Sequence, residues 1–147
     1  MTALGFSMHL LPITHPLFNL REACKHLTLL EDHLNQPRKR CPDCIRKHFL
    51  TLEALFEEGV SLDDGTPAVM FPPAGGEVSL GVVCQFSADA MRDQSERWLD
   101  GVAPEEVAAA LRAIRKEVTP ICFDLRRMTA SRSVVASRYL FSHICGR

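Results

Sequence analysis

The sequence predicts a mainly α-helical fold, a small bundle built on an antiparallel helical hairpin, with an extended N-terminal arm and a long central loop or small β-hairpin. Apolar residues recur at spacings of three, four and seven in several stretches, which is the periodicity of one buried helix face. A Cys-Pro pair at 41–42 has the form of a helix start, directly after the breaker-containing connection Asn35–Arg40. A region rich in Gly, Pro and Asp separates the first half from the second.

The 147 residues fit one domain (1–147), long enough to bury roughly two-thirds of the unfolded surface. Residues 1–18 hold Gly5, Pro12 and Pro16 among Phe6, Leu10, Leu11, Ile13 and Phe18, the composition of an arm that packs on its own domain or a neighbour. Residues 19–35 predict the first helix, with Leu20, Ala23, Leu27, Leu30 and Leu34 as its buried stripe and His26 and His33 beside it. The second helix runs from Pro42 to Glu58, buries Ile45, Phe49, Leu52, Leu55 and Phe56, and stops before Gly59. The segments 19–58 thus form the hairpin.

Residues 59–85 predict a loop, because Asp63–Pro67 and Phe71–Gly76 are breaker-rich. Within it, Ala68-Val69-Met70 and Val78-Ser79-Leu80 could pair as a small hairpin. Residues 86–147 complete the chain. Ser87 is the expected N-cap of a third helix, with Phe86 and Met91 as its hydrophobic staple. A fourth helix starts at Pro104, carries Glu105 and Glu106 in its first turn, buries Val107, Leu111, Ile114 and Val118, and is kinked or ended by Pro120.

Chemistry concentrates at Cys41-Pro42-Asp43-Cys44-Ile45-Arg46-Lys47-His48. With Cys41 as N-cap, Cys44 and His48 fall three and seven residues on and share a helix face. The helix dipole, aided by Arg40, Arg46 and Lys47, is expected to lower both thiol pKa values. In an antiparallel hairpin a residue near position 33 lies opposite position 43, so His33 completes a Cys2His2 set with Cys41, Cys44 and His48. That set suits structural Zn2+, which takes thiolate and imidazole ligands tetrahedrally. His26, about 10 Å further back at 1.5 Å per residue, is the reserve ligand, and Cys24 a weaker one. Asp32 is expected to be either a solvated carboxylate or a group that orients a ligand.

The same residues admit a redox-active dithiol, with Cys41 as nucleophile and Cys44 as resolving thiol, or plain packed cysteines beside a surface histidine. The CPDC helix start resembles the Erv/ALR-type sulfhydryl oxidases, in which a CxxC opens a helix of a small flavin-binding bundle. The resemblance covers Cys41 to about Phe49. The family's upstream tryptophan-and-histidine motif has no counterpart here, Trp98 being downstream, so no flavin contact is carried over.

Composition excludes several classes. Net charge is −1 and 46% of residues are hydrophobic, as in ordinary globular proteins. No run approaches the roughly 18 apolar residues of a membrane span. Pro12 and Pro16 interrupt any signal-like apolar core, and six cysteines without such a leader fit a reducing compartment, the cytoplasm or an intracellularly assembled particle. Two basic regions stand out: Arg38, Lys39, Arg40, Arg46 and Lys47, and Arg126, Arg127, Arg132, Arg138 and Arg147 against the single acid Asp124. They could meet nucleic-acid phosphates, above all through Arg38, Lys39, Arg40, Arg126 and Arg127, or acidic faces of protein partners. The expectation is therefore a non-enzymatic, zinc-binding interaction module that touches protein partners through its arm, central loop and basic tail, with a thiol-disulfide oxidoreductase or a zinc-stabilised nucleic-acid-binding protein as alternatives.

Overall fold

The computed structural model describes residues 15–123; the arm residues 1–14 and the basic tail, Arg126 and Arg127 included, lie outside the described residues. Four helices of twenty residues account for most of what is described: α1 (Pro16–Asn35), α2 (Pro42–Ser61), α3 (Leu80–Leu99) and α4 (Pro104–Phe123). A two-stranded antiparallel sheet, β1 (Pro67–Phe71) and β2 (Gly76–Ser79), joins α2 to α3. Helix α1 packs against both α2 and α4, α2 packs against α3, and a lighter α3–α4 contact closes the ring.

The apolar periodicity identifies the core. Leu20, Leu27, Leu30 and Leu34 of α1 meet Ile45, Phe49, Leu52 and Phe56 of α2, and all eight are essentially fully buried. Burying each such side chain contributes about 1.5–3 kcal/mol before the opposing chain entropy is counted. Val107, Leu111, Val118 and Ile121 bring α4 into the same cluster. Trp98 packs at its edge against Phe49, ring centroids 6.2 Å apart. The expected strand pieces do pair, with Val69 opposite Val78 and Phe71 opposite Gly76.

Four boundaries differ from the pattern-based expectation. Helix α1 begins at Pro16 rather than at Asn19, because His15 serves as N-cap and its Nδ1 accepts the Leu17 N–H at 3.0 Å. Leu17, expected in the arm, is a fully buried core residue. Helix α2 does not stop before Gly59 but continues to Ser61. Gly59 is there for close packing: a Cβ at this position would intrude on Cys84 Sγ and stand 3.2 Å from Cys84 Cβ.

The third helix is capped eight residues before the expected Ser87. Ser79 is its N-cap, accepting the Val82 N–H at 3.3 Å while donating its own hydroxyl to Asp63 Oδ2 at 2.8 Å. Asp63 therefore sits over the positive end of α3, and Gly81 leaves room for it, since any Cβ there would collide with the carboxylate. Ser87 is buried mid-helix with no partner for its Oγ, and the Phe86–Met91 staple has no helix start to close. Phe86 instead sets its ring edge-on to Phe71 of β1, 5.6 Å away. Pro120 does not end α4, which continues to Phe123.

Candidate metal centre at the helical hairpin

A 3-10 turn, Pro37–Lys39, reverses the chain between α1 and α2. Its charges are used locally. Lys39 Nζ pairs with Asp32 Oδ2 at 2.7 Å, and Arg40 donates to the Leu34 carbonyl at 2.8 Å and to Glu105 Oε2 at 2.5 Å. Asp32, which also accepts from the Gln36 side chain, thus secures the turn. Of the basic cluster expected to face phosphate, Lys39 and Arg40 are engaged in holding the hairpin together, and Arg38 is exposed beside them.

Cys41 caps α2 as expected. Its Sγ accepts the Cys44 N–H at 3.3 Å, Pro42 occupies the first turn and Asp43 follows. Cys41 is exposed and Cys44 half-buried. The two thiols differ in acidity. The hydrogen bond from the Cys44 thiol, together with the Cys44 N–H, holds Cys41 below the ordinary thiol range, whereas the same bond to Cys41 and partial burial push Cys44 above it. The expectation that the dipole lowers both thiols is corrected here: one thiol donates to the other, and only the acceptor becomes more acidic.

One turn further along α2, His48 lies between two rings of α1. Its centroid is 5.1 Å from that of His33 and 5.6 Å from that of His26, and the Nδ1 atoms of His26 and His48 approach to 3.4 Å. His33 Nδ1 lies 3.0 Å from the Lys39 carbonyl, which can only accept, so Nδ1 carries the proton and Nε2 is left as the donor atom available to a ligand. Burial, and then the neighbouring charges of His33 and His26, lower the His48 pKa, which favours the neutral ring.

The hairpin therefore seats His48 against His33 and His26, with His26 nearer to His48 than its two-turn offset implied, while Cys41 and Cys44 sit together at the start of α2. Among the described residues no group of three or more His, Cys, Asp or Glu side chains is arranged to hold a metal ion. Cys24, the weakest of the reserve ligands, is corrected outright: it is buried and faces α4, with Sγ 3.8 Å from Cys122 Sγ and 3.6 Å from Thr119 Oγ1. Sequence spacing had no means of finding this second thiol pair, whose members are 98 residues apart.

No family model, curated protein or solved structure matches the chain. No helix among the described residues is long and apolar enough to cross a membrane.

Proposed function

We propose that the protein is a non-enzymatic, zinc-binding interaction module, a component of a larger protein assembly, in which a structural Zn2+ on His33, Cys41, Cys44 and His48 staples α1 to α2. The observation that carries this is the seating of the His33 and His48 rings 5.1 Å apart, beside a CxxC whose first thiol is exposed at the start of the same helix. Zinc needs ligand atoms about 2.0–2.3 Å from the metal, in a tetrahedron. Side-chain rotation of Cys41 and Cys44 toward the two rings would supply it, and the exposure of Cys41 leaves room for its rotation. The His33 bond to the Lys39 carbonyl is the kind of contact that fixes the tautomer and aim of a metal-binding imidazole. His26, at 3.4 Å from His48, either holds that ring or replaces His33 in the set.

Such a staple closes the open end of a hairpin whose far end leucine packing already holds. Binding free energies of structural zinc, about 10–16 kcal/mol, exceed or match the whole stability of a typical domain. Free thiols of this kind persist where thiols stay reduced, the cytoplasm or a particle assembled inside the cell. Exposed Met70, Val82 and Phe86, on the hairpin strand and the first turns of α3, offer apolar surface to protein partners.

Elemental analysis of untagged protein tests the staple. About one zinc per chain is expected, lost in Cys44→Ser and His48→Ala and kept in Cys84→Ala. His33→Ala and His26→Ala identify the fourth ligand. Protein that is metal-free as purified, folded, and unchanged by chelator refutes it.

One observation favours a second reading. The acidity split between exposed Cys41 and half-buried Cys44 is the asymmetry of a nucleophile and a resolving thiol. A thiol-disulfide oxidoreductase would show a reversible Cys41–Cys44 couple in redox buffers with no zinc bound.

A further inference from the structure

A second pair of thiols lies away from the hairpin, between α1 and α4. Cys24 Sγ and Cys122 Sγ are 3.8 Å apart, with Thr119 Oγ1 at 3.6 Å from Cys24. Cys122 is sealed in the core, whereas Cys24, 8% exposed, lines a surface pocket of about 430 Å³. The pocket's walls include Phe18 and Phe123 and the charged side chains of Arg21, Glu22, Lys25 and Arg115, with Lys25 paired to Glu22 at 3.1 Å. Arg115 is held in place by Glu31, which it grips through Nε and a terminal guanidinium nitrogen at 2.5 and 3.0 Å.

We propose that Cys24 and Cys122 form a reversible thiol-disulfide site, in which Cys24 meets a small disulfide such as oxidised glutathione through this pocket and Cys122 resolves the adduct. The geometry assigns the two roles. Among the cysteines of the described residues, Cys24 lines the opening and Cys122 lies within reach of its sulfur from behind. A disulfide requires the sulfurs to close to about 2.05 Å, a movement of less than 2 Å from their present separation.

The electron and proton balance is simple. The Cys24 thiolate, its proton released to solvent, attacks one sulfur of the small disulfide. That S–S bond breaks, a Cys24 mixed disulfide forms, and one small thiolate leaves and is protonated by water. Cys122 then attacks the Cys24 sulfur and gives up its proton. The second small thiolate departs with the electron pair of the mixed disulfide and takes up a proton. Two protein thiols are oxidised and one small disulfide is reduced to two thiols.

The test uses the full-length protein with its metal complement as purified. It is incubated in buffers of oxidised and reduced glutathione at graded ratios, quenched with an alkylating agent, digested with trypsin and mapped by mass spectrometry. The expected product links peptide 22–25 to peptide 117–126, is reversed by reductant, and accompanies full alkylation of core Cys84 after denaturation. In Cys122→Ser the link is lost and glutathione accumulates on Cys24. Cys24 that stays reduced in every buffer overturns the proposal. So does a Cys24 adduct in the wild-type protein that never passes to Cys122, or a Cys24 link to Cys41, Cys44 or Cys145 in its place. The wild-type map decides the matter even if Cys122→Ser fails to fold.

Discussion

Replacing Gly59 by alanine tests how tightly α2 and α3 are packed, and the structure sets the size of the effect. In an ordinary helix interior Gly→Ala stabilises by about 1 kcal/mol. At Gly59 the added Cβ would intrude on the Cys84 sulfur, stand 3.2 Å from Cys84 Cβ and 3.7 Å from Asn19 Cβ, with Cys84 itself fully buried. Overpacking of this kind costs about 1–3 kcal/mol. Set against the propensity gain, this cost leaves Gly59→Ala less stable by about 0–2 kcal/mol. Cys84→Ala alone removes one buried sulfur and should cost about 1 kcal/mol.

The double variant separates the effects. With the sulfur gone the new Cβ has space, although the residue-84 Cβ keeps the contact close, so relief is large but incomplete. A favourable coupling of about 1–2 kcal/mol is expected, well beyond the additivity error of roughly 0.5 kcal/mol. Urea unfolding of the four proteins, followed by far-UV circular dichroism and by Trp98 fluorescence with the metal state held fixed, measures it. Additive single effects, or a Gly59→Ala protein more stable than wild type, would refute the close-approach role and return Gly59 to an ordinary helix-end glycine.

Three further outcomes follow from other parts of the fold. Ser79→Ala should destabilise by about 1 kcal/mol through loss of the α3 cap, whereas Ser87→Ala, which removes a buried hydroxyl without a partner, should be neutral or stabilising in the same chemical denaturation; the reverse order would restore Ser87 as the cap. Glu31→Gln should lower stability by about 1.5–3 kcal/mol, because Glu31 is largely buried against the Arg115 guanidinium, and the loss should shrink in an Arg115→Met background; equal losses in both backgrounds would remove the ion pair from the account. His48 and His15 are both lowered below the usual histidine value by burial, so the unfolded chain binds their protons first and zinc-free protein should lose stability as pH falls from about 6.5 through the folded values. Thermal melts between neutral and mildly acidic pH check the sign, and a melting point that rises on acidification contradicts it.

The parts of this fold legible in the sequence were those set by repetition along one element. Leucines 20, 27, 30 and 34 announce a helix face whatever they pack on, and Pro42 after Cys41 announces a helix start because both obey local rules. The parts not legible depended on a partner distant in sequence. Gly59 is indistinguishable from a helix stop until Cys84 is placed beside it, and Ser87 looks like a cap until Asp63 and Ser79 supply a better one eight residues earlier. Cys24 could be counted among hairpin ligands only while its direction was unknown; its side chain follows the α1 face turned to α4, and Cys122 meets it there.

The same distinction bears on the candidate site. His33, Cys41, Cys44 and His48 are local to one turn, so sequence spacing could propose them as a set. The contribution of the structure is the unequal environment inside that set: a thiol made more acidic by its neighbour, an imidazole whose protonation burial disfavours, and a second imidazole whose Nδ1 is committed to a backbone carbonyl. Each is a condition that metal binding rewards, since a metal ligand must present an unprotonated donor atom. Cys44 runs the other way, its thiol retaining its proton through the bond to Cys41. A zinc ion would have to displace that proton first, so binding should release protons and tighten with rising pH across the near-neutral range.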